Sequence, residues 1–187
     1  MKKISILLLA LGTTVLFSCK DNSKNAEPEV VTVDNSADSK EVYAVADIKA
    51  EFKDEKVASI FKQYIQVSNT LINTDEVKTA NESAKLIAVI EEMGMQVEDN
   101  IMKSLVSMAE NEDIEVQRKH FEHVNEWMEK TLQGSLESGA IYKQYCPMAF
   151  NNRGAYWLST SKDVLNPYFG DKMLKCGRVD SEIVAAK

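Results

Sequence analysis

The amino-acid sequence predicts a mainly α-helical protein: an antiparallel four-helix bundle with a C-terminal cap of loops and a short hairpin. Apolar residues recur at intervals of three and four between residues 57 and 133, which is the period of amphipathic helices. Capping side chains and glycines divide this region into four segments with short connections, which favours antiparallel neighbours. The helical period ends after Gly139, where aromatic residues and turn signals become frequent.

The four predicted helices follow one another along the chain. The first covers residues 57–72, and the second covers 77–90 and ends at Gly94. The third covers 97–108, and the fourth covers 114–133. The side chains predicted to face the core are Ile60, Phe61, Tyr64, Val77, Ala80, Ala84, Ile87, Ile90, Ile101, Leu105, Met108, Phe121, Val124, Met128 and Leu132.

The predicted cap covers about residues 140–180. Turn signals at residues 151–154 and at Asn166-Pro167 enclose a short strand-like run from Ala155 to Leu158. Half of the aromatic residues of the chain fall in the cap: Tyr142, Tyr145, Phe150, Tyr156, Trp157, Tyr168 and Phe169.

The N-terminus has the layout of an export signal. Two lysines precede an apolar run that is shorter than the ~20 residues of a membrane-spanning helix. The string Leu16-Phe17-Ser18-Cys19 resembles a lipobox, which implies that residues 1–18 are cleaved and that Cys19 is lipidated. Residues 19–49 are polar and lack a period, which predicts a flexible tether, and residues 50–187 then form a single domain.

These features predict a lipoprotein of the outer membrane, attached through its lipid and facing the periplasm or the cell surface. Lys20-Asp21 resembles the start of the lysine-plus-acid tract that some Bacteroidota-type lipoproteins use for surface export. The net charge of −7 and the isoelectric point near 5.0 argue against a nucleic-acid partner.

Two short segments of the cap carry soft metal donors. Cys146 lies two residues from Met148, and Met173 lies three residues from Cys176. Thiolate and thioether ligands favour Cu(I), and by the same chemistry Ag(I). His120 projects into the apolar sector of the fourth helix and is the candidate supporting donor. Metal transfer requires that Met148 and at least one other donor face a shared, partly open pocket.

Other interpretations of the same residues remain open. Once Cys19 is lipidated, Cys146 and Cys176 are the two remaining thiols, and in an oxidising compartment such a pair commonly forms a disulfide. The alternative function is therefore a disulfide-stapled interaction module without metal, which would require a contiguous exposed aromatic patch. A cysteine enzyme is a third alternative, but no C-x-x-C, haem motif, phosphate loop or orienting group supports it, and we predict that the protein is not an enzyme.

The C-terminal third resembles a known family. The resemblance is carried by Tyr145-Cys146-Pro147-Met148-Ala149-Phe150, Gly154-Ala155-Tyr156-Trp157-Leu158, Asn166-Pro167-Tyr168-Phe169-Gly170, Met173-Leu174 and Cys176-Gly177. These strings are similar to the domain of unknown function 3347, and the similarity extends over about residues 54–180. That family occurs as stand-alone lipoproteins and fused to periplasmic adaptors of heavy-metal efflux pumps. The resemblance implies that the protein sequesters copper or passes it to an efflux adaptor.

Overall fold

The computed structural model of the protein describes residues 42–186. The predicted signal, the lipidation site Cys19 and most of the predicted tether lie outside the described residues. The elements are β1 (Glu51–Phe52), α1 (Glu55–Ile72), α2 (Glu76–Glu92), α3 (Asp99–Ala109), α4 (Ile114–Leu132), β2 (Leu136–Ser138), β3 (Ala140–Cys146), α5 (Ala149–Asn152), β4 (Ala155–Ser159), a 3-10 helix (Gly170–Lys172) and β5 (Arg178–Val184).

The protein is largely helical, as predicted, and the four long helices match the four predicted segments. Asp54, Asp75 and Asp113 cap α1, α2 and α4 by accepting hydrogen bonds from backbone N–H groups of the first turn. Successive helices pack on one another, and α1 also contacts α4. The antiparallel four-helix bundle as such stays a prediction.

The C-terminal region contains more β-structure than the predicted loops and short hairpin. Three antiparallel strands form a sheet in the order β4-β3-β5, and β1 pairs with β2 in a second, two-stranded sheet. Strand β4 coincides with the predicted strand-like run, whereas β3 and β5 were not predicted. A register shift between Lys143 and Gln144, and the burial of the polar Gln144, interrupt the alternation that would have identified β3.

Arg118 joins the helices to the loop that precedes the 3-10 helix. Its side chain is buried, and its Nε donates to the carbonyl of Pro167 at 3.0 Å. Its Nη1 pairs with the carboxylate of Glu115 at 2.9 Å, while Nη2 reaches the carbonyl of Leu71 at 3.4 Å. A buried guanidinium is tolerated because these partners satisfy its donors. Arg118 thereby fixes loop 166–170 against α4.

The segment just before β1 lies against the folded domain, although the sequence assigned residues up to 49 to the tether. The backbone of Tyr43 both donates to and accepts from the side-chain amide of Asn73, at 2.8 and 2.9 Å. The hydroxyl of Thr160 donates to the carbonyl of Ala46, and Ala50 is buried. Among residues 42–186, no helix combines the length and apolar character that crossing a membrane requires.

Candidate metal centre

Strand pairing brings the two cysteines of the domain together. Cys146 is the last residue of β3, and Cys176 lies two residues before β5. The antiparallel register pairs Tyr145 with Arg178, so the chain leaves Cys146 and Cys176 side by side at the end of the sheet. Their sulfur atoms are 2.8 Å apart, with one thiol hydrogen-bonded to the other. Cys146 is fully buried and Cys176 is half-buried.

The surroundings of Cys176 favour its protonated form. Burial, followed by the hydrogen bond and the charge interaction with Cys146, raises the pKa of the Cys176 thiol to about 11. A hydrogen bond from the backbone N–H of Met148 acts in the opposite direction. The same N–H places the backbone of Met148 directly beside the sulfur of Cys176.

The two candidate methionines line one cleft. Met148 and Met173 face a cavity of about 500 Å³ whose walls include Phe150, Tyr168 and Phe169. Met148 is 47 % exposed, so its thioether is accessible from solvent. The carbonyl of Met173 accepts a hydrogen bond from the N–H of Cys176 at 3.0 Å, which ties the second methionine to the second cysteine. The four sulfur-containing residues therefore lie on adjoining turns.

The turn that carries Met148 has an uncommon backbone conformation. Phe150, Asn151 and Asn152 all have positive φ angles, from 50° to 67°, in the left-handed region that β-carbons disfavour. Gly154 follows with φ of 82°, and a β-carbon there would overlap the ring of Tyr145. Strain of this kind persists only where the surrounding structure fixes it. Met148 lies just before this turn and lines the cleft.

His120 lies away from the sulfur atoms. It lines a different groove, between α3 and α4, which shares no lining residue with the methionine cleft. Its neighbour there is His123, with ring centroids 6.3 Å apart. The structure therefore does not bring His120 to the predicted sulfur donors. The two histidines are three residues apart on one helix, and this spacing already indicated that they lie together.

The aromatic residues of the C-terminal region are mostly part of the core. Trp157 and Tyr168 are buried at 1 % and 5 % exposure, and Tyr145, Phe150 and Phe169 are half-buried. Tyr168 packs its ring against Phe121, Phe150 and Trp157. These five rings do not form the contiguous exposed patch that the interaction-module alternative required.

The candidate metal ligands of this centre are sulfur atoms. Within residues 42–186, no three histidine, cysteine or carboxylate side chains are grouped closely enough to hold a metal ion. A metal at the cysteine pair would need the thioethers of Met148 and Met173 as its further protein ligands. Such a set fits soft ions and lacks the oxygen ligands of Ca²⁺ or Mg²⁺.

Comparison with known families confirms the predicted resemblance. Residues 60–139 match the family described as protein of unknown function (DUF3347), so this part of the chain is similar to that family. The match spans most of the helical region and ends at Gly139, before the cysteine and methionine residues on which the resemblance was based. The lipoprotein context and the association with efflux adaptors stay predictions. No curated protein and no solved structure is significantly similar to the chain.

Proposed function

We propose that this protein binds a soft monovalent metal ion, Cu(I) or Ag(I), through Cys146, Cys176, Met148 and Met173. The observation that carries the proposal is the placement of two thioethers in one open cleft, together with a pair of thiols of which one contacts the backbone of Met148. Thiolates carry a negative charge and bind the ion tightly, whereas neutral thioethers bind soft ions without losing a proton. The exposed Met148 offers an entry point through which an ion exchanges with a partner.

Metal binding at this pair requires the thiols to release their protons. Because the pKa of Cys176 is raised to about 11, protons compete strongly with the ion at neutral pH. We expect the apparent affinity to increase with pH until the thiol is ionised. This competition would keep the ion exchangeable, as a protein that passes metal onward requires.

The proposed setting is the cell envelope. In this proposal Cys19 carries a lipid, the protein is tethered to the outer membrane and faces the periplasm or the cell surface, and it sequesters the ion or passes it to an efflux adaptor. Helices α1 to α4 would form an antiparallel bundle, an arrangement supported by the packing of each helix on the next. The protein acts as a binding protein and not as an enzyme.

Anaerobic Cu(I) titration of the reduced full-length protein tests this proposal. We expect one ion per chain, with binding weakened at least tenfold in Cys146→Ser and several-fold in Met148→Leu and Met173→Leu. Met102→Leu is a matched control, because Met102 is a half-buried methionine on α3. Equal binding by the Met148→Leu, Met173→Leu and Met102→Leu variants would exclude the thioethers, and unchanged binding by Cys146→Ser would exclude the thiol pair.

A second candidate function is a disulfide-stapled envelope protein that binds no metal. The separation of 2.8 Å between the two sulfur atoms favours it, because the thiols are already aligned for oxidation. The absence of Cu(I) binding by the reduced protein, together with thiols that are detectable only after reduction, would support this candidate. The burial of Trp157 and Tyr168 means that its docking surface would have to lie elsewhere on the domain.

A further inference from the structure

Both histidines of the chain line one groove. His120 and His123 lie one turn apart on α4, and the groove of about 320 Å³ runs between α4 and α3. Their rings are nearly perpendicular, with an interplanar angle of 79°. The proposed copper function uses neither residue.

The hydrogen bonds of Ser104 favour one tautomer of His123. The hydroxyl of Ser104 donates its hydrogen to the carbonyl of Asn100 at 3.0 Å, so toward His123 it acts as an acceptor. With the hydroxyl in that orientation, Nδ1 of His123, at 3.1 Å from the Ser104 oxygen, carries the ring hydrogen. The lone pair of the other ring nitrogen, Nε2, is left available. Metal-binding histidines commonly have a partner of this kind on the second nitrogen.

His120 contributes a second imidazole to the groove. Its ring lines the groove, and its Nδ1 is buried without a hydrogen-bond partner in the part of the chain that the structure describes, so Nε2 is the nitrogen available to a ligand. Burial, together with the nearby His123 and Lys119, lowers the pKa of His120.

We propose that this groove binds a borderline divalent ion of the Zn²⁺ or Cu²⁺ type through the Nε2 atoms of His120 and His123. Imidazole nitrogen suits these ions, and two histidines on one helix face are a common way of presenting it. Water completes the coordination, because within residues 42–186 no carboxylate is grouped with the two histidines. Glu126 and Glu98 are exposed and line the same groove.

The geometry requires only a small adjustment of the side chains. Two ring nitrogens about 2.1 Å from one ion place the ring centroids roughly 5 Å apart. The present separation is 6.3 Å, so side-chain rotation that closes the rings by about 1 Å completes the chelate. A two-imidazole site of this kind binds more weakly than a closed structural zinc site, because water occupies the remaining positions.

This site is independent of the proposed copper function. It uses nitrogen donors on α4, whereas the sulfur donors lie around the ends of β3 and β5, so either site can fail without the other. The test is a Zn²⁺ titration of the full-length protein, followed through the imidazole ¹⁵N signals by nuclear magnetic resonance. Since the chain has two histidines, every imidazole signal belongs to the groove, and zinc bound at the thiols does not interfere.

We expect the Nε2 signals of both rings to shift together and to saturate at one ion per chain. His120→Gln is expected to weaken the response of His123 at least tenfold, and His123→Gln, at an exposed position, to do the same to His120. Lys130→Gln is the matched control, because it alters the same groove without removing a ring nitrogen. Rings that respond at different zinc concentrations, rings that do not respond at all, or an unchanged response in either glutamine variant would overturn the proposal.

Discussion

The hydroxyl of Tyr64 connects three elements at one buried point. It donates to the side-chain carbonyl of Asn125 on α4 at 2.7 Å and accepts the N–H of Leu158 on β4 at 3.2 Å. Asn125 in turn donates to the carbonyl of Tyr156 at 2.9 Å. Burial raises the pKa of Tyr64 far above its ordinary value, so the phenol stays neutral and remains a donor. This network fixes the sheet to α1 and α4.

Replacing Tyr64 with phenylalanine tests this network. The substitution leaves the carbonyl of Asn125 and the N–H of Leu158 without a partner, and a buried unpaired group costs about 1 to 3 kcal/mol. We therefore expect a loss of about 2 kcal/mol in the free energy of unfolding, measured by urea denaturation. Tyr142→Phe, at a half-buried tyrosine on β3, is the control and should change stability little. Equal effects of the two substitutions would contradict the role assigned to the Tyr64 hydroxyl.

The raised pKa of Cys176 predicts slow alkylation at neutral pH. Thiolate is the reactive species, so the rate for the reduced protein should rise about tenfold per pH unit and level off only near pH 11. Mass spectrometry of the peptide that contains Cys176 measures this rate. Cys146→Ala removes the hydrogen bond and charge interaction that raise the pKa, so it should shift the profile to lower pH, although burial remains. A plateau near pH 9 in the unaltered protein would contradict the structure.

At the scale of elements, the boundaries of the helices could be predicted better than the face that each helix buries. The sequence placed Val77 and Ala84 of α2 in the core, but Val77 is 49 % exposed and Ala84 is also exposed. The helix instead buries Thr79 and Ser83, whose hydroxyls donate to backbone carbonyls one turn earlier. Because local hydrogen bonds satisfy these polar groups, they can be buried, and apolar periodicity alone cannot identify such a face.

The N-caps of α4 and α3 provide a matched pair of substitutions. The carboxylate of Asp113 accepts from the N–H groups of Glu115 and Val116, at 2.9 and 3.3 Å, whereas Glu98 at the start of α3 makes no capping hydrogen bond. Asp113→Ala should therefore lower the free energy of unfolding by about 1 kcal/mol. Glu98→Ala should have an effect close to zero. Thermal unfolding of both variants measures the difference, and equal losses would show that the cap of Asp113 contributes nothing.

The sheet was harder to predict because its strands are short and their patterns are irregular. In β5 a single position, Ile183, is buried, and the other residues of the strand are exposed or half-buried. A strand with one buried side chain does not show the alternation of apolar and polar residues that identifies a half-buried strand. Its partner β3 contains the register shift at Lys143 and Gln144. Both β3 and β5 form because they pair with segments that are distant in the sequence, and no local pattern of residues encodes such pairing.

For the whole molecule, the sulfur residues of the candidate site could be predicted individually, but their relation to His120 could not. Cys146 and Met148 are neighbours in the chain, as are Met173 and Cys176, and the pairing of β3 with β5 brings the two segments together. To predict the position of His120 relative to the sulfur atoms, one would have to know the direction of α4 relative to the sheet. The periodicity of α4 fixed which residues share a face but not which element that face meets.

Oxidation of the cysteine pair should stabilise the whole domain. A disulfide between Cys146 and Cys176, which are 30 residues apart, restricts the unfolded chain and is worth about 3 to 4 kcal/mol on the loop-entropy estimate. We expect the urea midpoint of the oxidised protein to fall on reduction. Cys176→Ser should show no effect of the reductant. Identical midpoints with and without reductant in the unaltered protein would mean that the pair does not form a disulfide.

The pairing of β1 with β2 and the bond between Ala46 and Thr160 also constrain when the protein can fold. Phe52 pairs with Leu136, and the carbonyl of Ala46 accepts a hydrogen bond from the hydroxyl of Thr160, 114 residues later in the chain. Strand β5, which is almost the last segment described, completes the three-stranded sheet. Contacts between distant parts of a chain form slowly, because a long loop must close before they contribute. The first residues of the domain therefore cannot reach their final positions until nearly the entire chain has been synthesised. If the chain is exported, as its N-terminus predicts, these contacts would form only after most of the chain has passed through the channel.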